Sequence, residues 1–469
     1  MVFSSPIFLF WFLPLVLFSY YIVAKQNRNY VLLFFSILFY GWGEGRMLTV
    51  MLLSTLIIYF IGLRLEVTHN QSQKKRTLFV GIFAILTLLI YCKYSNFFID
   101  NYNFAASSLG FSPIIWDTVI LPLGISFYTL HGMSYIIDVY RGHTSPQKNP
   151  FKLTLYISFF PQLIAGPIIR YKDVEKQIDD RKIDVELFVS GIKRFIIGLS
   201  KKVLIANMLG RITEFVFNMP INELNGYWSW IALVAIGVQL YFDFSGYSDM
   251  AIGMGRMFGF RFLENFNYPL ISQSMKEFWT RWHISLSSWF RDYIYYPLGG
   301  NRKGKLRMHL NLWTIFLLNG MWHGASWSFF IFGCYHGFLL TFERLGFSNI
   351  LKWLPRPFRS IYVFFAYAIG DILFSIDNYH HAFSFYHSLF KFQTPDPYNR
   401  IHLYLTNEWY FIFFVGIILS IPIVEFFFSK IKNGNSKNVI EAIVLIVLFI
   451  LTASELANSA YNPFLYFRI

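Results

Sequence analysis

The chain has 469 residues, of which 55% are hydrophobic and 21% aromatic, and its formal net charge is +14. With a mean hydropathy of +0.45, this composition excludes a soluble globular domain and indicates a polytopic helical membrane protein. The basic residues cluster between apolar runs, as the positive-inside rule expects, so the charge does not indicate nucleic-acid binding. The two cysteines, Cys92 and Cys334, lie in apolar sequence and imply neither a disulfide framework nor a cysteine-based metal site.

The N-terminal third predicts a consistent membrane topology. The first apolar run, residues 7–24, has no basic segment before it and no clear cleavage site, so we interpret it as a retained membrane anchor. Lys25 and Arg28 follow this run and predict a cytoplasmic loop, with the N-terminus outside. The later apolar runs cross the membrane in alternating directions that agree with this assignment. They are a hairpin of residues 31–42 and 48–65, which turns at 41–45, and spans at 78–91 and 114–137.

The rest of the chain is less regular. Residues 170–184 carry a dense run of both charges, which is typical of a solvated cytoplasmic segment, and residues 256–307 are strongly basic and predict a cytoplasmic or re-entrant segment. Further spans are predicted at 203–217, 228–241, 310–340 (a broken pair), 361–374, 410–427 and 439–451. The total is roughly eleven or twelve spans in a single all-α domain over 1–469, with N-terminal helices at 1–150, catalytic core segments at 151–345 and C-terminal helices at 346–469.

Residues 276–297, KEFWTRWHISLSSWFRDYIYYP, predict an amphipathic helix. One face repeats apolar side chains every three or four residues, at Trp279, Trp282, Leu286, Trp289 and Tyr293. The opposite face carries Arg281, Ser285, Ser288, Arg291 and Asp292. Glu277 and Arg281 are spaced to form an ion pair, and His283 falls at the edge of the aromatic face. Two interpretations stay open here: an interfacial anchor with a hydrogen-bonded histidine, and a functional histidine.

His323 lies in the sequence Trp322-His323-Gly324-Ala325, inside the apolar run 310–340. An ionisable side chain is costly in lipid and is therefore a functional candidate. Small residues on both sides of His323 predict a helix break, which is tolerated at membrane depth only where the backbone lines a cavity or packs on protein. An imidazole with an ordinary pKa near ~6.5 suits a general base. The alternative is a packing histidine bonded to a backbone carbonyl.

Other intramembrane polar residues favour structural roles. His336 lies in apolar sequence and is interpreted as a packing residue, whereas Asp243 and Asp249 are expected to pair with basic residues of 276–307, rather than to bind a cation or shape a polar cavity. His131 lies in a stretch whose prolines and glycines (121–142 and 159–171) predict broken helices along a cavity or tunnel wall. No metal-ligand constellation, P-loop or hydrolase motif is present in the sequence.

Several long motifs are specific enough to indicate a family. They are MVFSSPIFLFWFLPLV, LPLGISFYT, DVYRG, FFPQLIAGPIIRY, YFDFSGYSDMAIG, NFNYPLIS, FWTRWHISLSSWFRDYIYYPLGGNRKGKLRMHLNLW and GMWHGASWSFFIFGCYHG. Together they resemble the membrane-bound O-acyltransferase (MBOAT) family, in the branch of alginate and peptidoglycan O-acetyltransferases. The resemblance runs from the start of the chain to about residue 345 and is weaker beyond it.

This resemblance implies a ring of transmembrane helices around a tunnel, in the bacterial cytoplasmic membrane. It implies that His323 is the catalytic histidine and that His283 occupies the family's second site position. The donor substrate would be acetyl-CoA or another acetyl thioester, with no bound cofactor or metal, and a separate extracytoplasmic SGNH-type transferase or esterase would be the partner. Positive charge within 276–307 would attract the donor phosphates, with Arg281, Arg291, Arg302 and Lys303 as the candidates.

The predicted function is transfer of an acetyl group to an extracytoplasmic polysaccharide, either peptidoglycan or an exopolysaccharide such as alginate. The chain departs from the alginate-type pattern at His131, where glutamine is common, and at 370–377, GDILFSID, which lacks the arginine of that pattern, so the acceptor stays open. Three alternatives also stay open: a D-alanyl transferase for teichoic acids, a transporter or channel that moves the acyl donor without chemistry, and a structural scaffold.

Overall fold

The computed structural model describes residues 2–392, 400–403, 405–431 and 434–458. The described residues form helices joined by turns and coil, without a strand among them, as predicted for an all-α protein. They divide into two compact units, which are residues 2–191 with 254–263, and residues 192–253 with the described residues from 264 onward. The parts of the predicted C-terminal region at 393–399, 404, 432–433 and 459–469 lie outside the described residues.

The first unit is built around three mutually packed helices, α3, α4 and α5. Between α2 and α3 the helical path breaks at Gly45, whose φ of +50° is accessible to glycine, as predicted from the turn at 41–45. The helices are α1 (Leu13–Ile22), α2 (Arg28–Glu44), α3 (Leu48–Val67), α4 (Gln71–Ser108), α5 (Ile125–Arg141), α6 (Pro150–Ser158), α7 (Phe160–Leu163) and α8 (Tyr171–Asp179), and α9 (Val185–Ser200) continues into the second unit.

Two predictions for the first unit are wrong in part. The predicted span 114–137 is helical only from Ile125, because the chain before it is exposed and extended. The charged run 170–184 is not uniformly solvated, since Arg181 is 8% exposed. Its Nε donates hydrogen bonds to the hydroxyl of Tyr20 and to the carbonyl of Phe258, both at 2.9 Å. These contacts satisfy Nε of the buried guanidinium, and the sequence alone does not bring these distant residues together.

The second unit contains the predicted broken pair as α14 and α15, which form its largest helix–helix contact. Helix α14 ends at His323, Gly324 is extended, and the side chain of Ser326 caps α15. The helices are α10 (Asn207–Phe217), α11 (Gly226–Met257), α12 (Met275–Arg281), α13 (Ile284–Phe290), α14 (Gly304–His323), α15 (Trp327–Phe342), α16 (Ser348–Leu351), α17 (Arg356–Ser375), α18 (Tyr379–Ser388), α19 (Asn407–Leu419), α20 (Ile423–Lys430) and α21 (Gly434–Asn458).

Five helical stretches of the described chain are long and apolar enough to cross a bilayer, or six if one bent pair is a single span. The bent pair is α19 and α20, which meet at 70° within the predicted span 410–427. The other stretches are Lys25–Val67, Gln71–Ser108, Gly226–Met257, Arg356–Ser375 and Gly434–Asn458. Fewer segments therefore meet this criterion than the eleven or twelve predicted, because many apolar runs fold as short helices joined by breaks.

Candidate active site

His323 stands at the point where α14 ends. Its side chain is buried, 3% of the residue being exposed, and its ring centroid lies 4.8 Å from that of Trp322 and 5.3 Å from that of Phe374. The helix ends there because Gly324 leaves the helical conformation with a φ of −168°. The last carbonyls of a helix carry partial negative charge, so this position stabilises a positive charge that develops on the imidazole as it accepts a proton.

A small enclosed cavity adjoins His323. It measures about 10 Å³, which is room for about one water molecule. Helices α12, α14, α15 and α17 supply its polar lining, and most of the remaining wall is aromatic. The polar side chains are His323, His336, Asp371, Tyr367, Trp279 and Trp282. A titratable cluster in an apolar enclosure is the usual form of a reactive site.

His336 belongs to this cavity, although the sequence analysis interpreted it as a packing residue. It is 1% exposed, and its ring packs edge-on against those of Trp279 and Phe332, with centroids 5.1 and 4.5 Å away. Within the described part of the chain neither ring nitrogen has a hydrogen-bond partner. Burial without hydrogen bonds is costly for a polar ring, so packing alone does not account for this residue.

Asp371 and Tyr367 were missed as site residues. They are one turn apart on α17, are both 2% exposed, and line the same cavity. The available signal was Asp371 itself, since a carboxyl group inside an apolar span is a functional candidate. The sequence analysis noted residues 370–377 only for a missing arginine.

His283 occupies a break rather than a continuous helix. The predicted amphipathic helix 276–297 is wrong in this respect, because α12 ends at Arg281 and α13 begins at Ile284. His283 between them has a φ of +43°, which is rare for a residue other than glycine and persists only where the surroundings hold it. The predicted pair of Glu277 and Arg281 is confirmed, with an N–O distance of 2.9 Å.

Asn265 holds this break in place through several hydrogen bonds. Its backbone carbonyl accepts from the amide of Ile284 at 2.9 Å, and its side-chain oxygen accepts from the amide and hydroxyl of Ser285 at 3.2 and 2.9 Å. Its side-chain nitrogen donates to Ser248 at 3.0 Å. The same oxygen lies 3.1 Å from Nδ1 of His283.

These contacts fix the tautomer of His283. Because the atom of Asn265 that meets a backbone N–H must be its oxygen, Nδ1 of His283 is the donor in this contact. A neutral ring then presents a lone pair at Nε2, which is available to accept a hydrogen bond from a ligand. The rings of His283 and His323 both lie close to the Trp322 ring, whose centroid is 6.1 Å from that of His283 and 4.8 Å from that of His323.

The four candidate cationic residues differ in their surroundings. The guanidinium of Arg281 donates to Glu277 at 2.9 Å and to the carbonyl of Asn267 at 3.0 Å, so much of its hydrogen-bonding capacity serves the fold. Arg302 and Lys303 are exposed at the turn before α14. The side chain of Arg291 is 55% exposed and contacts Asp292 at 3.0 Å.

The predicted partners of Asp243 and Asp249 are wrong. Both carboxylates form ion pairs, but with residues 194–202 rather than with the basic segment 276–307. Asp243 meets Lys202 at 2.5 Å, where both side chains are almost fully buried. Asp249 meets Lys201 and Arg194, each at 2.7 Å. All five residues belong to the second unit, and packing of α9 and the helical stretch Lys201–Ala206 against α11 brings them together.

His131, the third intramembrane imidazole, lies in the first unit, where it is fully buried with its ring 5.7 Å from that of Tyr156. The described residues contain no group of three or more histidine, cysteine, aspartate or glutamate side chains arranged to hold a metal ion. The polar groups that line the cavity of the candidate active site include the imidazoles of His323 and His336, the carboxyl group of Asp371 and the indole N–H of Trp279.

Comparison with known proteins places these residues in context. The chain is 43% identical over 395 residues to the probable alginate O-acetylase AlgI of Pseudomonas aeruginosa, covering 84% of this chain and 76% of that protein. The corresponding protein of Pseudomonas putida is 38% identical over the whole of both chains. The peptidoglycan O-acetyltransferase of Helicobacter pylori is 34% identical, covering 73% of this chain and 70% of that protein. Teichoic acid D-alanyltransferases also match, with 55% of this chain covered for that of Bacillus subtilis.

The family model of the membrane-bound O-acyltransferases matches residues 34–375, a range that includes His283, His323, His336 and Asp371. This range covers most of the first unit and the helices that line the cavity. The chain therefore belongs to the membrane-bound O-acyltransferase family and is a multi-pass membrane acyltransferase.

Proposed function

We propose that this enzyme transfers an acetyl group from a cytoplasmic acetyl thioester, such as acetyl-CoA, to a hydroxyl destined for an extracytoplasmic polysaccharide. Its relatives are named for the acetylation of alginate and of peptidoglycan. These names indicate that the transferred group is acetyl and that the acceptor is a polysaccharide. The observation that carries the proposal is the burial of His323 at a helix break, beside a small polar cavity. A buried neutral imidazole next to a cavity that can hold one oxygen atom suits proton transfer from a hydroxyl.

In the proposed reaction the acyl group moves from the thiol sulfur to the hydroxyl oxygen, and one proton moves from the hydroxyl to the thiolate. His323 accepts the proton of the attacking hydroxyl while the hydroxyl oxygen forms a bond to the thioester carbonyl carbon. The carbon–sulfur bond of the resulting tetrahedral intermediate then breaks. The leaving thiolate takes the proton from the imidazolium of His323, so that an ester and a thiol are released and the neutral imidazole is restored.

We assign His283 to donor positioning. Its Nδ1–H is engaged by Asn265, so Nε2 of the neutral ring accepts a hydrogen bond rather than polarising a carbonyl. The exposed cations Arg291, Arg302 and Lys303 attract the phosphates of the donor from the cytoplasmic side, and Arg281 contributes less because Glu277 holds it.

Delivery to the polymer requires a second protein in this proposal. The transferred group leaves the membrane enzyme on the outer side, where an SGNH-type transferase or esterase passes it to the polysaccharide. The location is the bacterial cytoplasmic membrane, because the acetyl thioester is made in the cytoplasm and the polymer lies beyond the bilayer.

The test is the O-acetyl content of purified peptidoglycan and of exopolysaccharide from cells with wild-type protein, a deletion, or His323→Ala at matched abundance. We expect loss of acetyl ester from one polymer in both mutants, which also names the acceptor. His380→Ala, at an exposed histidine of α18, is the matched control and should leave acetylation unchanged. Full acetylation with His323→Ala would overturn the proposal.

The same cells separate the competing functions. Loss of D-alanyl esters instead of acetyl esters would favour a teichoic acid D-alanyl transferase, the function by which more distant relatives are named. Movement of acyl donor that survives removal of both His283 and His323 would favour a transporter. Partner co-purification that is insensitive to both histidines, without any change in polymer esters, would favour a scaffold.

A further inference from the structure

Acyl transfer needs hydrogen-bond donors to the carbonyl oxygen, which the two predicted histidines do not supply. The carbonyl oxygen becomes negatively charged in the tetrahedral intermediate, and fixed N–H donors aimed at that oxygen are the usual and largest source of stabilisation. His323 is occupied with the hydroxyl proton. The Nδ1–H of His283 is already engaged by Asn265. The donors to the oxyanion must therefore come from other groups near His323.

Two such donors converge on the cavity beside His323. Trp279 on α12 presents an indole N–H, which can only donate, and His336 on α15 presents one N–H when neutral. Both groups are buried, and within the described residues neither Nε1 of Trp279 nor either nitrogen of His336 has a hydrogen-bond partner. Two unsatisfied buried polar groups at one cavity, from different helices, indicate an absent polar ligand.

The size of the cavity limits what that ligand atom can be. A volume of about 10 Å³ accommodates about one water-sized group, which matches one oxygen atom held by two or three polar partners. Asp371 on α17 also lines this cavity, and its Oδ2 has no hydrogen-bond partner among the described residues. An oxyanion in the cavity requires this carboxyl group to be protonated, because a carboxylate there would repel it.

We propose that this enclosure, the Trp279–His336 pocket, is the oxyanion site of the enzyme. This inference rests on the proposed acyl transfer. As the hydroxyl oxygen bonds to the carbonyl carbon, the electron pair of the carbonyl π bond moves to oxygen, and the N–H groups of Trp279 and His336 donate hydrogen bonds to it. When the carbon–sulfur bond breaks, that pair returns to the carbonyl, and neither side chain gains or loses a proton.

The packing around His336 supports this role, because an oxyanion site works by being rigid before the reaction. Four aromatic rings enclose the imidazole, with centroids between 4.5 and 6.4 Å away; they belong to Trp279, Phe316, Phe332 and Tyr335. On the remaining side α17 comes close at a glycine. A β-carbon at Gly370 would lie 2.8 Å from Nε2 of His336, so only glycine leaves the ring in place there.

The test measures thiol release from acetyl-CoA by the full-length protein in lipid nanodiscs, with the partner transferase and the polymer that the O-acetyl assay names as the acceptor. His336→Phe and Trp279→Phe keep an aromatic ring and remove the donors. Each should lower kcat by about 10²- to 10³-fold, the usual loss for one oxyanion donor, with KM for acetyl-CoA changed by less than about threefold. His336→Asn retains an N–H and should recover part of kcat, which a purely structural role would not produce.

A spectroscopic readout tests the same contact without turnover. The probe is the ketone analogue of acetyl-CoA in which a methylene replaces the thioester sulfur, labelled with ¹³C at the carbonyl. Its carbonyl stretch should fall in frequency on binding to wild type and to His323→Ala, and this shift should shrink in His336→Phe and Trp279→Phe. The controls His380→Phe and Trp353→Phe change the same residue types at exposed positions.

The outcomes separate this inference from the proposed function. Inactive His323→Ala with full kcat in folded His336→Phe and Trp279→Phe would overturn the oxyanion assignment and leave acyl transfer standing. Activity in His323→Ala would overturn the proposed function itself. A rise in KM with unchanged kcat would also overturn the assignment, since it indicates ground-state binding only. If His336→Phe does not accumulate, His336→Asn and Trp279→Phe decide by the same kcat criterion.

Discussion

At the scale of single residues, the buried carboxylate of Asp243 depends on Lys202 as its counter-ion. Lys202 and Asp243 face each other at 2.5 Å with side-chain exposures of 1% and 3%. Removing one member of such a pair leaves a charge buried without its counter-ion, whereas the intact pair adds little net stability. The stability of this region therefore depends on both members being present together.

Lys202→Met should destabilise the protein by about 3–5 kcal/mol. Lys193→Met is the matched control, because Lys193 pairs with Glu441 at a half-exposed site and such pairs contribute about 0–1 kcal/mol. The measurement is thermal unfolding in a fixed detergent. The double change Lys202→Met with Asp243→Leu should recover part of the loss, and equal losses for the two lysine variants would contradict the explanation.

A second residue-scale prediction concerns Asn265. Asn265→Leu removes the acceptor for His283 Nδ1 and for Ser285, so the left-handed turn at His283 loses its support. We expect the acetylation rate to fall about as far as in His283→Ala, and the double variant to be no worse than either single one, since both act through one contact. Additive losses in the rate assay would show that Asn265 acts elsewhere.

Sequence reasoning found His323 because its signal is local: an imidazole flanked by small residues in an apolar run. It could not assign His336 or Asp371, because nothing near them in sequence shows that α15 and α17 bring them to the same cavity as His323. It also could not assign the partners of Asp243 and Asp249, since charge spacing gives no information on which helix packs against α11.

At the scale of elements, the close approach of α9 and α11 is made possible by glycine. A β-carbon at Gly198 would lie 2.5 Å from the carbonyl oxygen of Gly246 and 2.7 Å from the β-carbon of Asp249. Such a contact with backbone cannot be relieved by turning a side chain, so the two helices would have to separate. The same close approach brings Lys201 to Asp249.

Gly198→Ala should therefore lower the yield and the unfolding temperature of the purified protein. Gly434→Ala provides the control, because a β-carbon at this first residue of α21 meets no described atom within 4 Å. The two variants are compared by size-exclusion profile and thermal unfolding in one detergent. Gly198→Ala with wild-type behaviour would show that α9 and α11 have room to separate.

Helix existence was easier to predict than helix continuity. The aromatic periodicity of 276–297 gave α12 and α13 but not the break between them, because that break depends on Asn265, which lies outside the segment. Likewise, apolarity at 410–427 predicted helical chain but not the 70° bend between α19 and α20. Local patterns report which face is buried, whereas breaks are stabilised by contacts from elsewhere.

At the scale of the whole molecule, the placement of charge makes a prediction about orientation. The basic segment at 74–76 is expected in the cytoplasm and the charge-poor loop near 112 outside. With Cys92 and Cys334 replaced by serine, single cysteines at the exposed positions Gln73 and Ser112 give a direct assay. A membrane-impermeant maleimide should label Ser112→Cys in intact cells and Gln73→Cys only after lysis, and the reverse pattern would invert the topology.

The buried pair of Lys202 and Asp243 also constrains how the protein is made. The ribosome adds Lys202 to the chain before it synthesises α11, so for a time Asp243 is not yet available to pair with Lys202. An unpaired lysine is expensive inside a bilayer, and therefore the stretch Lys201–Ala206 must wait at the membrane surface or inside the insertion machinery until α11 emerges. We therefore expect a fixed order of biogenesis, in which the arrival of α11 permits the burial of the segment that precedes it.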